Sequence, residues 1–346
     1  MSKTLQDYAT LINDTIQSNE INHYITTDNM CQNLGGIDIF KNINVPQGKV
    51  RSFQKDDVLL SNIRLYFRKV YRAKQKGGCS SDVLVFRAKH IDSATLFAIL
   101  SSQIFTDYAC SGSQGSKMPR GNKTHMMNFK IPTINFTIAK IFNSIQNKIE
   151  NNHKINELLH TLAYKIYEYY FKYKPKNAKL EQIIIENPKS SIMVKNAQKT
   201  QDKYPFFTSG DNILSYPKAI IDGRNCFLNT GGNAGIKFYV GKASYSTDTW
   251  CICANEFSDY LYLLLSSIKN HINQSFFQGT SLKHLQKNLL KKYPIYMPSA
   301  HEIKKFNQII IPLLTLISIN TRTSKKLEQI RDFLLPLLLK QQVKPK

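Results

Sequence analysis

Residues 138–169 read IAKIFNSIQNKIENNHKINELLHTLAYKIYEY, and residues 306–337, 168 positions later, read FNQIIIPLLTLISINTRTSKKLEQIRDFLLPL. Apolar residues dominate two alternating heptad positions in both stretches, which is typical of helices that pack along a narrow seam. The first seam position holds Ile138, Ile145, Asn152, Leu159 and Ile166, and the second holds Ile141, Lys148, Ile155, Leu162 and Tyr169. The later stretch holds Phe306, Leu313, Asn320, Leu327 and Leu334, then Ile309, Leu316, Thr323, Ile330 and Leu337. The pattern predicts two long helices that form an antiparallel coiled coil.

The repeat continues outside the predicted helices. Ser80-Ser81-Asp82 returns as Ser246-Thr247-Asp248 at an offset of 166, and Gly115-Ser116-Lys117-Met118 returns as Gly279-Thr280-Ser281-Leu282 at an offset of 164. Duplication with small loop changes produces such a drift. Chance similarity between two Ile-, Lys- and Asn-rich halves is the alternative, and the Asn in the middle of both seams argues against it.

The repeat predicts an α+β protein with internal pseudo-twofold symmetry. Two similar mixed domains, residues 1–133 and 174–299, are separated by the long helices, residues 134–173 and 300–346 with a C-terminal tail. Apolar runs of strand length support this, at residues 58–60, 83–86, 226–228 and 250–252. The basic stretch that ends in Gly77-Gly78 predicts a hairpin or loop. In the last helix Pro312 predicts a bend and Pro336 a loss of regularity.

The two central asparagines predict a register device. At 1.5 Å per residue, two helices of about 35 residues span roughly 50 Å, enough to hold two readers on duplex DNA that repeats every ~34–36 Å. In an antiparallel pair Asn152 and Asn320 would meet near the middle, where a buried polar pair fixes register. The alternative is that both are solvated at poor seam positions.

The net charge predicts a polyanionic partner. The formal charge is +23 and the isoelectric point is about 9.6, which makes nucleic acid the first candidate. An anionic membrane surface is less favoured because the basic residues are spread over the chain. Ribosome association fits the charge equally well.

Cysteine usage and hydropathy favour a reduced, cytoplasmic setting. The six cysteines lack the spacing of a zinc site, and no histidine pair lies beside them at ligand spacing. Residues 1–17 lack the basic head and apolar core of a secretory signal. The most apolar stretch, residues 309–319, is too short to span a bilayer. We therefore expect no metal and no cofactor on this chain.

The chain lacks recognisable catalytic motifs. Asn187-Pro188 is followed by Lys189, so an amino-methyltransferase motif is absent. Residues 235–242 resemble a phosphate loop only loosely, with Ala243 where Ser or Thr binds magnesium. These absences favour a binding role over catalysis.

Basic residues near aromatic and turn-forming residues are the candidates for DNA contact. Arginine and lysine neutralise phosphates, and arginine also pairs with guanine edges. An ordinary solvated surface is the alternative at each position. The candidates are Arg64, Arg68, Lys69, Arg72, Lys117, Arg120, Lys123, Lys237, Lys242 and Lys283.

The order of domain, helix, domain, helix resembles the specificity subunit of type I restriction–modification systems. The strings that carry the resemblance are LQDYAT (5–10), GSKMPR (115–120), KIENNHKINE (148–157) and LEQIRDFLLP (327–336). The resemblance covers nearly the whole chain and is patchy in the domains. The chain departs from the family in being somewhat short and in carrying Pro312.

The resemblance implies a non-catalytic DNA-recognition subunit. Each target recognition domain would read one half of a bipartite double-stranded DNA site, while the helices set the spacing and dock two methyltransferase subunits. Motor-nuclease subunits would complete the complex. S-adenosylmethionine, ATP and magnesium would belong to those partners. The alternatives are the specificity subunit of a related type II system, a two-domain RNA- or ribosome-binding protein, and an enzyme acting alone.

Overall fold

The computed structural model describes residues 3–38, 42–131, 134–197, 203–210, 213–279 and 282–339. The chain forms two compact units. The first comprises Met1–Asn151 with Ser324–Lys346, and the second comprises Asn152–Thr323. This division passes through both long helices, so each helix contributes to both units. Thr280 and Ser281 of the repeated string, and the C-terminal tail from residue 340, lie outside the described residues.

The first unit is built on two four-stranded sheets, in the orders β1-β8-β5-β6 and β2-β4-β7-β3. Its strands are β1 (Ala9–Ile12), β2 (Thr15–Gln17), β3 (Tyr24–Ile25), β4 (Lys49–Phe53), β5 (Val58–Ser61), β6 (Val70–Arg72), β7 (Gly77–Cys79) and β8 (Val83–Ala88). Its short helices are α1 (Leu5–Tyr8), α2 (Ser93–Ser101), α3 (Gln103–Ser111) and α4 (Lys123–Met127). The two apolar runs predicted as strands pair antiparallel at the centre, with Val58 opposite Phe86 and Leu60 opposite Leu84.

Helix α5 (Phe136–Tyr167) follows and continues as a π-helical segment, Glu168–Lys172. The second unit then repeats the central sheet as β10-β16-β13-β14. Its strands are β9 (Ala178–Lys179), β10 (Ile185–Glu186), β11 (Tyr204–Phe207), β12 (Leu214–Tyr216), β13 (Arg224–Asn229), β14 (Ile236–Val240), β15 (Ser244–Tyr245), β16 (Thr249–Cys253), β17 (Phe277–Gln278), β18 (His284–Leu285) and β19 (Pro294–Ile295). Its helices are α6 (Ser258–Ser267), α7 (Lys269–Ser275), α8 (Lys287–Lys291) and α9 (Ala300–Leu338).

The central pair of strands is the same in both units. Cys226 lies opposite Ile252 and Leu228 opposite Trp250, as the predicted runs require. Each sheet lies against a large hydrophobic core to which the long helices contribute, through Phe142 and Leu335 in the first unit and Tyr167 and Phe306 in the second. The predicted α+β class with two similar domains is confirmed.

The long helices are antiparallel neighbours within each unit. In the first unit the backbone N of Asn135 donates to the carbonyl of Leu338 at 3.1 Å. In the second unit Tyr170 stacks edge-on against Phe306 with ring centroids 6.0 Å apart, and Asn320 reaches Asn156. Residue numbers therefore rise along α5 as they fall along α9. Within the described residues no helix is both long and apolar enough to cross a bilayer.

The second seam position was predicted wrongly. Its apolar members face solvent, among them Ile141, Ile155 and Leu162, with exposed fractions of 42%, 41% and 49%. The buried stripe of α5 instead includes Phe142, Ile149, Ala163 and Tyr167. The same shift occurs at the equivalent positions of α9, where Ile310, Ile317, Arg331 and Leu335 are buried.

Two local predictions also failed. Gly77 and Gly78 lie in strand β7, where a Cβ on Gly77 would stand 2.5 Å from the carbonyl of His23, so close strand packing requires glycine. Helix α9 continues past Pro336 to Leu338, so the predicted loss of regularity at Pro336 is wrong. The helix also continues past Pro312, where the bend stays a prediction. Both prolines are exposed, so water can reach the carbonyls left without an N–H donor one turn earlier.

Candidate nucleic-acid interface

Three loops of the first unit meet where β5 ends and β8 begins, at the pair Ser61 and Val83. The backbone N of Asn62 donates to the carbonyl of Asp82 at 2.7 Å, and the carbonyl of Asn62 accepts from the N of Gly121 at 3.1 Å. We call this edge of the sheet the first junction. Backbone hydrogen bonds hold it together, so its shape depends little on the side chains it carries.

The second unit builds the same junction where β13 ends and β16 begins, at the pair Asn229 and Thr249. The backbone N of Thr230 donates to the carbonyl of Asp248 at 3.1 Å, and its carbonyl accepts from the N of Leu285 at 3.0 Å. Thr230 lies 168 positions after Asn62, and Leu285 lies 164 after Gly121. The structure therefore places the repeated sequence strings in equivalent positions.

A tight loop projects at the first junction. Gln114 and Arg120 close it with two backbone hydrogen bonds of 2.9 and 2.8 Å, and Gly115 turns it with a φ of +98°. Met118 at its tip is 52% exposed. The loop at the second junction is closed by the pair of Gln278 and His284.

The second loop shares the features of the first. Gly279 has a φ of +138°, and Leu282 is 57% exposed. Sequence reasoning missed the exposed tips Met118 and Leu282, although the repeated Gly-x-x-Met/Leu spacing was a signal that could have found them.

Cations gather at the first junction. Arg64, Lys117 and Arg120 come together there, since an Nη2 of Arg64 donates to the carbonyl of Lys117 at 3.3 Å. The guanidinium of Arg120 pairs with Asp82 at 3.0 Å and remains 62% exposed. Lys123 is exposed at the start of α4, two residues after Gly121. Four predicted DNA-contact residues therefore lie at one edge.

The second junction carries fewer cations. Lys283 is exposed in its loop beside His284. The ammonium of Lys237 donates to the carbonyl of Thr208 at 2.8 Å and to Oδ1 of Asn229, at the end of β13, at 3.3 Å. Lys242 lies beyond the opposite end of β14 and is exposed there. The structure therefore groups Lys237 and Lys283 and leaves Lys242 apart.

The remaining predicted residues of the basic stretch are engaged inside the first unit. Arg68 donates to the carbonyl of Ser101 at 2.9 Å, and burial lowers the pKa of its guanidinium. Lys69 donates to the carbonyl of Thr27 at 2.5 Å. Arg72 lies 3.9 Å from a carboxylate oxygen of Asp56. These side chains tie strand β6 and its preceding turn to neighbouring segments.

The central asparagines lie close to a polar cluster of the helix pair. Asn152 is 1% exposed. In the second unit Asn320 donates to Oδ1 of Asn156 at 3.0 Å, and Asn156 donates to the hydroxyl of Thr321 at 3.3 Å. Asn320 thus bonds to Asn156, which lies one helical turn after Asn152 in α5. The register role of Asn152 and Asn320 remains a prediction.

The described residues offer little for catalysis or metal binding. Within them no group of three or more His, Cys, Asp or Glu side chains is placed to hold a metal ion. Burial raises the pKa of the thiols of Cys79 and Cys226, and of Cys251 as well. Thiols that stay protonated are poor nucleophiles and poor ligands.

Comparison with known proteins finds one matching family model and solved structures with a similar fold. Residues 176–329 match the family model described as the type I restriction modification DNA specificity domain. The fold is similar to the crystal structure of the type I restriction-modification system S subunit from M. genitalium. That match has a TM-score of 0.65 and 14% identity over 99% of this chain and 96% of that chain.

A second solved structure, the HsdS subunit from Thermoanaerobacter tengcongensis, matches at 14% identity over 98% of this chain and 96% of that chain. Its TM-score of 0.37 is too low to add to the argument. No curated protein matches the chain.

The second domain matches a family model described as a DNA specificity domain, and the first domain repeats its central sheet and its junction. The match to the type I restriction modification DNA specificity domain covers residues 176–329, which lie in the second half of the chain. The resemblance that the sequence predicted is confirmed.

Proposed function

We propose that the chain is the specificity subunit of a type I restriction–modification complex and reads a bipartite site in double-stranded DNA. The observation that carries the proposal is the junction built twice, at Asn62 and at Thr230, by the same backbone hydrogen bonds. Two equivalent readers in one chain suit a site with two halves. The charge of +23 suits a phosphate backbone, which supplies much of the affinity of such contacts.

The long helices support the spacing part of the proposal. Helices α5 and α9 contain 32 and 39 residues, and each contributes to both units. Helical backbone is stiffer than a loop, because every internal N–H is bonded to a carbonyl four residues earlier. A helix pair with fixed register therefore sets one gap between half-sites rather than a range of gaps.

Exposed apolar residues on the helices support docking of two methyltransferase subunits. Ile141 and Ile309 are each 42% exposed, and Leu162 and Ile330, 168 positions apart, are 49% and 48% exposed. Exposed apolar positions in series are typical of a protein–protein contact. Because they repeat at the internal offset, they suit two copies of one partner. Motor-nuclease subunits complete the proposed cytoplasmic complex.

Exchange of residues 1–133 for the matching domain of another specificity chain tests the reading of half-sites. The methylated bases of a host genome, mapped with each chain, should change in one half of the site only. A change in both halves, or no bipartite site with the unaltered chain, would contradict the proposal. Preference of the pure chain for structured RNA over duplex DNA would favour the RNA-binding alternative.

Deletion of seven residues from each long helix tests the spacing. We expect a shorter gap between unchanged half-sites, because a heptad removes about two turns while it keeps the seam in phase. Removal of four residues from each helix is the matched control, since it breaks the heptad phase and should abolish site recognition. Altered half-sites with an unchanged gap would be inconsistent with a helical spacer.

A further inference from the structure

Arg64 has a left-handed backbone conformation, and the equivalent residue of the second unit is a glycine. The φ of Arg64 is +51°, whereas Gly232, 168 positions later, has a φ of +80°. The two residues make the same hydrogen bond, from the N of Arg64 to Pro119 and from the N of Gly232 to Lys283, both at 2.9 Å. A residue with a Cβ is strained in this left-handed region and glycine is not. The fold of the junction therefore does not require arginine.

The side chain of Arg64 also destabilises the folded chain. Its Nε is buried and has no hydrogen-bond partner among the described residues. The guanidinium makes one side-chain hydrogen bond among the described residues, from Nη2 to the carbonyl of Lys117 at 3.3 Å. A buried N–H without an acceptor destabilises the folded chain. Arg68 shares the positive φ and, within the described ranges, the buried Nε without a partner, but its Nη2 donates to the carbonyl of Ser101 at 2.9 Å and lies 3.9 Å from Asp332. Arg64 is strained in the same way, yet in the part of the chain that the structure describes its terminal nitrogens make only the long bond to Lys117, which points to a role in binding.

We propose that Arg64 is a specificity-determining residue that reads a guanine in one half-site. The inference rests on the proposed function. The planar fork of arginine matches the O6 and N7 acceptors of guanine in the major groove, and the two Nη atoms of Arg64, held among the described residues only by the 3.3 Å bond to Lys117, are the donors that would meet them. Lys117 and Arg120 beside it hold the flanking phosphates, which fix position without reading sequence. Gly232 gives the second half-site no equivalent contact.

The test is selection of duplex DNA from a random pool by the full-length chain, compared with Arg64→Gly and Arg64→Lys. For Arg64→Gly we expect discrimination at one G·C pair of one half-site to fall by roughly tenfold or more, with the other half-site unchanged. Its Tm should equal that of the wild type or exceed it by up to roughly 3 °C, because the strain is relieved. Arg64→Lys should keep affinity and lose the same discrimination, since lysine lacks the fork.

Arg68→Gly is the matched control, because Arg68 also has a positive φ, +49°, and a buried Nε without a partner among the residues described, but its Nη2 bonds to Ser101 and lies 3.9 Å from Asp332. It should lower the Tm and leave every base preference intact. Three results for Arg64→Gly would overturn the inference and leave the proposed function standing. They are unchanged base preferences, a loss of preference at a position other than G·C, and a clear fall in Tm. If the wild-type chain selects no bipartite sequence, the proposed function fails and the inference fails with it.

Discussion

Arg331 donates from Nη1 to Oε1 of Gln146 at 3.0 Å inside the first unit, where the arginine is 2% exposed. Gln146 in turn donates from Nε2 to the carbonyl of Leu34 at 2.6 Å. The equivalent positions in the second unit, 168 residues away, hold Leu314 and Ala163. The two units thus share a fold, but only the first ties both long helices to its strand-rich part through this buried polar link.

The link predicts strongly coupled substitutions. Gln146→Leu copies the residue of the second unit and should destabilise the chain by about 2–3 kcal/mol, because a buried guanidinium loses an acceptor. Arg331 keeps its 3.1 Å pair with Asp332, but its Nη1 is left without the acceptor. Arg331→Met added to Gln146→Leu removes that donor, and Asp332 stays 49% exposed to water, so the double variant should be more stable than the single one. Urea unfolding measures both. The link would be contradicted if the two substitutions lowered the free energy of unfolding additively. It would also be contradicted if Gln146→Leu were as stable as the wild type.

The junction cations predict a change in the salt dependence of DNA binding. Lys117→Ala and Lys283→Ala should each lower the slope of log K against log salt by about 0.9, as expected for one lost phosphate contact. Lys242→Ala is the control, because it removes the same charge beyond the far end of β14. Titrations of a duplex between low and moderate salt give the slopes. Equal slopes for all three variants would show that the junctions are not the DNA-facing edges.

The exposed helix residues predict the stoichiometry of docking. Leu162→Glu and Ile330→Glu place a charge at equivalent positions of α5 and α9, where both side chains are about half exposed. Each should lose one of two methyltransferase subunits, and the double variant both, because a desolvated charge opposes apolar contact. Thr161→Glu, beside this face, is the control. The mass of the co-purified complex gives the number of bound methyltransferase subunits. If the double variant still binds two, these exposed helix residues are not the docking surface.

The sequence predicted the central strands because their signal is local. Val58–Ser61 and Arg224–Asn229 are short runs that end at turns, and their interior residues are buried. The heptad pattern found the helices but chose the wrong face for Ile141 and Ile155. Periodicity shows that one stripe of a helix is apolar. It does not show whether the rest of the fold or a partner protein covers that stripe. Here a second apolar stripe, with Phe142, Ile149 and Tyr167, faces the fold, and the exposed stripe suits a partner.

The candidate site was predicted only through its charges. The sequence predicts Arg64, Lys117 and Arg120 as DNA contacts because they are cations near aromatic and turn residues, and the structure brings the three together. The junction itself was not predictable, because Asn62 and Thr230 act through backbone groups that every residue except proline possesses. Residue type also could not reveal that Arg68 and Arg72 point into the fold, since this depends on long-range contacts.

Glu302 gives a pH-dependent prediction at the start of α9. Its carboxylate accepts from the N and hydroxyl of Ser299, both at 2.9 Å, and from the hydroxyl of Tyr296, and these bonds lower its pKa from 4.5 to about 2. The folded chain thus favours the ionised form. The resulting stability is present above pH 4.5 and is lost as pH falls toward 2. Glu302→Ala should lower the Tm by roughly 2–4 °C at pH 7, as the loss of a helix cap does.

The difference in Tm between the wild type and Glu302→Ala should narrow below pH 4.5, because protonation removes from the wild type the same capping interaction that the variant lacks. Thermal unfolding followed by circular dichroism at several pH values measures the difference. Glu20→Ala, which removes an exposed carboxylate in the first unit, reports the general effect of net charge. A difference that stays constant from pH 7 to pH 3 would mean that the ionised carboxylate does not stabilise this helix end.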